Sequence, residues 1–316
     1  MSKSSPVSPA ATPSTVRAQQ ASYVAVPADA SVSLTVVEFL CQRFPHIDVE
    51  QWRARIKANN VYWHDKQPVT LDSLVRRRQR LYYYREVAVE AKIPLQHRIV
   101  YQDEQIIVAY KPPFLALHPS GKVINECLVN RLRLQTGLMD IEPAHRLDRA
   151  TGGLVLLSKT ASGRDAYHRL FRDGEITKTY QAIAPLTPQL SQCWQNNTLT
   201  LPLQWQVRNR IVKATPSFTR KVVDGEPNSH SIITLEQVMA GLGLFSLAPI
   251  TGRTHQLRLH MHSLGIPIIN DLCYPQLQAA QDDDYNQTLQ LLAQRLQFND
   301  PITAKPIDVS CEPLTL

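Results

Sequence analysis

From about residue 95 onward the chain reads as a run of strand-length apolar segments interrupted by few helices, without the regular strand–helix alternation that a doubly wound parallel sheet requires. Ile99-Val100-Tyr101 and Ile106-Ile107-Val108-Ala109 flank Asp103-Glu104 as the arms of a hairpin would. Lys111-Pro112-Pro113 ends the second arm, because proline has no N–H to give a ladder. Leu154-Val155-Leu156-Leu157 reads as a buried strand and 161–172 as a helix, with further strands near 176–184, 229–239 and 243–250. The pattern predicts an α+β domain over 91–316, built on a mixed, mostly antiparallel sheet.

Residues 1–30 are rich in Ser, Ala, Pro and Thr and poor in large apolar groups, so a disordered tail is expected there, one whose removal leaves stability nearly unchanged. A small α/β module is expected over 31–90. Thr35 and Glu38 have the spacing of a capping box, and Val37, Leu40, Cys41 and Phe44 then line one helical face. Asp48 can cap a second helix that turns Trp52 and Ile56 inward and leaves Arg53, Arg55 and Lys57 to solvent. Arg76, Arg77, Arg78 and Arg80 run into Tyr82-Tyr83-Tyr84 at strand-like spacing, as phosphate and base contacts would require; a solvated charged face beside a β-rich edge fits the same residues.

Thirty-four Lys and Arg against 27 Asp and Glu give a net charge of +7, which favours an anionic partner. The five cysteines (Cys41, Cys127, Cys193, Cys273, Cys311) form no C-x-x-C pair, so neither a zinc knuckle nor a disulfide framework is indicated and a reducing cytoplasm is expected. No run of about 18 apolar residues is present to span a bilayer, and Pro6, Pro9 and Pro13 interrupt the stretch where a signal peptide would be apolar.

Three segments carry candidate chemistry. His145-Arg146-Leu147-Asp148-Arg149-Ala150-Thr151-Gly152-Gly153 sets one carboxylate among potential cations and ends in two glycines that allow a tight turn or close approach. The same residues also suit an aspartate capping a turn beside solvent-facing arginines. Pro249 to His262 reads as a loop feeding a helix capped by Thr254, with Leu257, Met261 and Leu264 as its apolar stripe. His255, Arg258 and His262 share another face, suited to phosphate, and no acidic ligand at helical spacing points to metal. In the third segment Lys178 and Tyr180 fall on one face of a strand.

Taken together, HRLDRATGGLVLLSK, KTYQA, GRTHQLRLHMHSLGIPIIND and RLQFNDP resemble, in content, order and spacing, the RluA family of RNA pseudouridine synthases over roughly 95–316. The resemblance implies Asp148 as nucleophile, Tyr180 as the ring that stacks on uracil, and Arg258 as the partner of Asp148, a role Arg253 could also fill. It further implies Leu296 packing beside the site, Arg146 entering the space a flipped uridine leaves, and His145, Arg149, Arg253 and His255 as RNA contacts. Gly152 stands where the family commonly has serine, and Asn270 where glycine is usual before Asp271. Residues 31–90 are similar to the S4 RNA-binding module, although Asn60 to Asp65 replaces its usual hairpin motif.

The implied activity is isomerisation of uridines in 23S-type rRNA or tRNA, by a cytoplasmic monomer that needs no cofactor or metal. Uridine must lose its N1–C1′ bond, turn its base and rejoin through C5, which one carboxylate can start by attacking C1′ or by removing a sugar proton. A non-catalytic RNA-binding or assembly factor that keeps the fold is the main alternative. A nucleic-acid hydrolase using His145 and Asp148 is a weaker one, for want of a metal-binding carboxylate cluster.

Overall fold

The computed structural model describes residues 15–279 and 281–316. They form two units, one of the described residues up to Ala91 with Pro119–Asn125, the other of Lys92–His118 and Glu126–Leu316.

The first unit runs β1 (Val16–Arg17), β2 (Ser22–Ala25), α1 (Val36–Arg43), α2 (Val49–Lys57), β3 (Val61–Trp63), β4 (Arg80–Tyr83) and β5 (Glu86–Val87). The expected capping box forms at Thr35 and Glu38, and Asp48 caps α2 by accepting from the Glu50 amide. Trp52 and Ile56 point inward, meeting Val36, Leu40, Val61, Trp63 and Leu81 in one core. Residues 119–125 join this unit because the Ile124 and Asn125 amides both donate to Glu90 Oε1 at 2.7 Å.

Three expectations fail here. The tail expected over 1–30 holds in no described part: residues 1–14 lie outside the described residues, while β2 pairs with β4 from Ser22↔Tyr83 to Ala25↔Arg80 and buries Val24 and Val26 in the core. Composition over a 30-residue window hides that short alternation. Arg55 is buried rather than available to solvent: its guanidinium lies over the Trp52 ring, 4.8 Å from the centroid, and pairs with Glu86 at 3.3 Å. In the Arg76–Arg80 run only Arg80 is in a strand; Arg76 is held by Asp65 at 3.3 Å and Gln67 at 2.7 Å, and Arg77 donates to the Ala30 carbonyl.

Deleting residues through 30 is therefore expected to destabilise the first unit. It removes two strands, β1 and β2, and two buried valines, each valine worth about 1.5–3 kcal/mol. Faster hydrogen exchange of the β4 amides is the measurement, and exchange at the intact protein's rate would contradict it.

The second unit contains β6 (Arg98–Gln102), β7 (Ile106–Lys111), α3 (Leu128–Thr136), β8 (Glu142–Pro143), β9 (Gly152–Ser158), α4 (Arg164–Arg172), β10 (Ile176–Pro185) and α5 (Pro188–Gln195). It continues with β11 (Leu203–Lys213), β12 (Arg220–Val223), β13 (Ser229–Met239), β14 (Leu242–Pro249), α6 (Gln256–Ser263), β15 (Leu291–Asn299) and β16 (Pro306–Ser310). Its sheet has the order β12-β11-β13-β14-β10-β15-β9-β7-β6, with β16 on β15 and β8 on β9. Among the described residues only the strands β15 and β9 pair in parallel, so the sheet is mixed and mostly antiparallel, as expected. Every residue of β9 is buried, which is why Leu154 to Leu157 reads as a continuous apolar run.

Two cores flank the strands that carry the site. Leu154, Leu156, Tyr167 and Leu170 pack with Ile106 and Phe298, while Leu257 and Met261 of α6 pack with Phe245, Leu247 and Ile233. The parallel contact explains the second glycine of the pair. Gly153 has φ +121°, and a Cβ there would meet the Ala293 backbone, 2.5 Å from its nitrogen and 2.7 Å from its Cα, with the carbonyl oxygen also in the way. Gly153→Ala should cost about 3–5 kcal/mol through combined overpacking and backbone strain. A lowered urea midpoint at unchanged slope would show it; an unchanged midpoint would mean the β9–β15 contact relaxes freely.

Candidate active site

Residues from the loop before β9, from β10 and from the loop entering α6 line one cleft of about 970 Å³. Asp148 lies in the first of these. The Thr151 amide donates to its carbonyl at 3.2 Å, closing a turn that leads directly into β9. The loop is also anchored from behind by Lys111, a completely buried residue at the end of β7. Its Nζ donates to the carbonyls of Pro112 (3.0 Å), Leu115 (2.9 Å) and Arg149 (3.1 Å). Burial pulls the Lys111 ammonium down to about 7, against the opposing charge of Asp148. The sequence marks Lys111 only as a strand end; nothing in it shows that three carbonyls converge there.

Tyr180 reaches the cleft from the middle of β10. The register with β15 shifts there, Thr179 facing Arg295 and Tyr180 facing Ala293, so Gln294 is the extra residue of a bulge. Bulges re-aim side chains, and this one sits at the cleft. Burial and the charge of Asp148 push the Tyr180 phenol well above its ordinary range, so it stays protonated at neutral pH.

Arg258 approaches Asp148 from α6, Nη1 to Oδ2 at 3.9 Å, and His255 Nε2 lies 3.6 Å from the same oxygen. The tightest bonds of Arg258 go elsewhere. Its Nε and Nη2 fork onto the two oxygens of Asp271, at 2.7 and 2.5 Å. Burial alone would disfavour the guanidinium charge, but Asp271 outweighs it and holds Arg258 protonated. Asp271 in turn accepts the amides of Cys273 and Tyr274, and the Tyr274 hydroxyl lies 2.8 Å from His255 Nδ1. Burial pulls the His255 imidazole down, Asp148 opposing. Asp271 and Tyr274 were missed as site residues, since neither spacing nor periodicity ties them to α6.

The helix start differs from expectation. Thr254 does not cap α6; His255 holds the N-cap position with φ +58°, and the Gln256 side chain accepts from the Thr251 hydroxyl (2.7 Å) and the Arg253 amide (2.9 Å). A left-handed residue at that point turns the His255 ring toward Asp148 and Tyr274.

The remaining sequence candidates are spread around the cleft. Arg146 is exposed on its wall and has no ion pair among the described residues. Arg253 is exposed and donates to the Asn228 carbonyl at 3.0 Å, without an ion pair to Asp148. Arg149 is committed to Asp283 through both terminal guanidinium nitrogens, Nη1 and Nη2. His145 stacks on Phe171 at 4.3 Å, and its Nε2 accepts the Leu156 amide at 3.1 Å. Burial, with the nearby Lys178 and His168, pulls that imidazole to about 3, so the ring is neutral and presents no charge to phosphate. Leu296 packs into the core around Tyr167, opposite Lys178, and the β15 side chain that lines the cleft is Leu291.

Besides Asp148, the carboxylate among the described lining residues is Asp173, which Arg172 engages at 3.0 Å. Among the described residues no group of three or more His, Cys, Asp and Glu side chains is placed to hold a metal, and no helix is long and apolar enough to cross a membrane.

A cleft roomy enough for a nucleotide, with Asp148 beside cations, a partly buried tyrosine and an exposed arginine on the wall, suits an enzyme acting on a single nucleotide of a polyanion. The sequence profile of the RNA pseudouridylate synthases matches residues 105–263. The dual-specificity RNA pseudouridine synthase RluA of Yersinia pestis is 33% identical over 214 residues, spanning 68% of this chain and 98% of that protein. The ribosomal large subunit pseudouridine synthase C of Rickettsia bellii is 29% identical over 230 residues, 69% of each chain. Among solved structures, human RNA pseudouridylate synthase domain containing 1 shares the fold, with a TM-score of 0.53 over 71% of this chain and 86% of that one at 20% identity. The chain belongs to the RNA pseudouridine synthase family, isomerases that act on uridines in RNA.

Proposed function

We propose that Asp148 is the nucleophile of this enzyme, acting on a uridine flipped out of folded rRNA or tRNA. The observation that carries the reading is the placement of the Asp148 carboxylate, 3.6 Å from His255 and 3.9 Å from the Asp271-held Arg258, in a cleft it shares with Tyr180. A buried ion pair on one side fixes the guanidinium, so Arg258 can orient Asp148 without being neutralised by it. Tyr180, kept protonated, offers a ring face for uracil and a hydroxyl near the C5 proton that must leave. Arg146, free on the wall, fills the gap left in the RNA. Unstacking the base costs about a few kcal/mol, which ring stacking and arginine insertion offset.

The first unit, two capped helices on a three-stranded sheet, acts in this reading as an S4-like RNA-binding module, with the exposed Lys57 and Arg78 available to phosphate beside Arg53 and Arg77, which are exposed but engaged by Glu50 and the Ala30 carbonyl. Relatives named for the large ribosomal subunit and for a tRNA uridine support rRNA and tRNA as substrates. The protein works in the cytoplasm as a monomer, with neither cofactor nor metal.

The test is incubation with uridine-containing RNA. Isomerisation conserves mass, the C5 proton leaving to solvent as the freed N1 takes one up; hydrolysis breaks a bond, and a binder changes nothing. Sites present in wild-type cells and missing from a deletion strain then name the RNA. Tyr180→Phe keeps the stacking ring, so a rate about tenfold lower at unchanged affinity would assign the hydroxyl to proton transfer, and a wild-type rate would leave Tyr180 as a platform only.

A further inference from the structure

The family match begins at residue 105 and leaves the first unit without an assigned surface. Its three-stranded sheet, β2-β4-β3, has two unlike faces. One is core: Val24, Val61, Trp63, Leu81 and Tyr83 all point inward. On the other, strand alternation sets Tyr23, Tyr82 and Tyr62 directly opposite one another across the three strands. Tyr23 and Tyr82 have ring centroids 5.6 Å apart, Tyr62 and Tyr82 likewise 5.6 Å with planes within 8° of parallel, and Tyr84 extends the row 6.1 Å from Tyr62.

Cations frame the row. Arg17 lies 3.7 Å from the Tyr84 centroid, Arg80 4.7 Å from Tyr23 and Lys66 5.0 Å from Tyr62. None of the three has an ion pair among the described residues, whereas the neighbouring acids are taken: Asp65 by Arg76 and Glu86 by Arg55, each at 3.3 Å. Tyr23 is 54% exposed and Tyr62 and Tyr82 are half-buried, so the rings are accessible.

We infer that this tyrosine row is a stacking platform for a single-stranded segment of the RNA substrate, separate from the uridine cleft. Every base has a π face, so a row of rings with unpaired cations binds strands with little sequence preference. The spacing selects the single strand. Bases stacked in a duplex lie about 3.4 Å apart, closer than the 5.6 Å between rings, so only a splayed strand sets successive bases on successive tyrosines. The platform uses Tyr23 and Arg17, from the segment whose composition reads as a tail. The proposal rests on RNA being the substrate.

The test uses the full chain and a labelled oligonucleotide of alternating adenosine and cytidine, about twelve nucleotides long, which offers no uridine to the cleft. Tyr23→Ala/Tyr62→Ala should weaken its binding by at least about tenfold, since each stacked base contributes about 5- to 150-fold. Salt dependence should stay unchanged, because no charge is lost. Tyr23→Phe/Tyr62→Phe should restore wild-type affinity, and a duplex of the same length should bind both variants alike. If the double alanine variant loses its fold by circular dichroism, Tyr23→Ala alone, at an exposed edge-strand site, carries the comparison. Single-strand affinity within twofold of wild type would overturn the platform, as would equal losses for strand and duplex. So would sedimentation showing that wild type self-associates and the alanine variant does not, with oligonucleotide affinity unchanged, which would give the face to a second copy of the chain. Pseudouridine formation on uridine-containing RNA is measured alongside: loss of strand binding in the variants with no isomerisation by wild type would fail the enzyme reading and keep the platform.

Discussion

Asp148→Asn is expected to abolish pseudouridine formation while leaving a folded protein that still binds RNA. Asparagine preserves the shape of the side chain and its capacity to accept a hydrogen bond, but removes the negative charge that attacks carbon or takes a proton. Loss of a nucleophile from a preorganised site lowers turnover by at least about 10³-fold. The fold should tolerate the change, since Asp148 contributes only long contacts, 3.6 Å to His255 and 3.9 Å to Arg258, and is partly exposed. Release of tritium from RNA labelled at uridine C5 measures the chemistry, and filter binding of the same RNA measures affinity. Turnover within tenfold of wild type would remove Asp148 from the mechanism.

That Asp148, Tyr180 and Arg258 share a site is what the resemblance to the family implies, and all three line one cleft; the local patterns around them, a turn ending in two glycines, a strand of alternating faces and a helix after a loop, place each residue only on its own element. The strands are legible from such patterns, as β9 shows with its unbroken apolar run. What the sequence leaves dark depends on partners distant in the chain. Arg55 reads as one more cation on a polar helix face, yet Glu86, 31 residues on, draws it under cover. Arg149 reads as an RNA contact, yet Asp283 holds it from 134 residues away. His145 carries no mark of its neutrality, which comes from burial and from the nearby Lys178 and His168. Short strands suffer too: the four residues of β2 are set by pairing with β4, not by propensity, and a compositional window dilutes them.

Loss of Asp271 should cost much stability, although Asp271 has no ion pair or hydrogen bond with Asp148. Arg258 and Asp271 have side chains 5% and 1% exposed, with two bonds between them, and Asp271 also satisfies the Cys273 and Tyr274 amides. Removing one partner of such a buried pair strands the other's charge, at about 3–5 kcal/mol. Asp271→Asn should therefore lower the melting temperature by about 6–15 °C for a unit of this size, although asparagine can still accept one amide. Without its counter-ion Arg258 is drawn onto Asp148, so the residual activity of the folded fraction should fall as well. The control is Arg258→Met/Asp271→Leu, which removes both charges. Replacing a buried pair by apolar groups of similar volume is often neutral for stability, so the double variant should regain most of the lost melting temperature while its turnover stays low. That split separates the pair's two roles, one in holding α6 to the 271–274 segment and one in keeping a guanidinium poised beside the nucleophile. A double variant as unstable as Asp271→Asn would show that the Cys273 and Tyr274 amides, not the buried charge, set the cost.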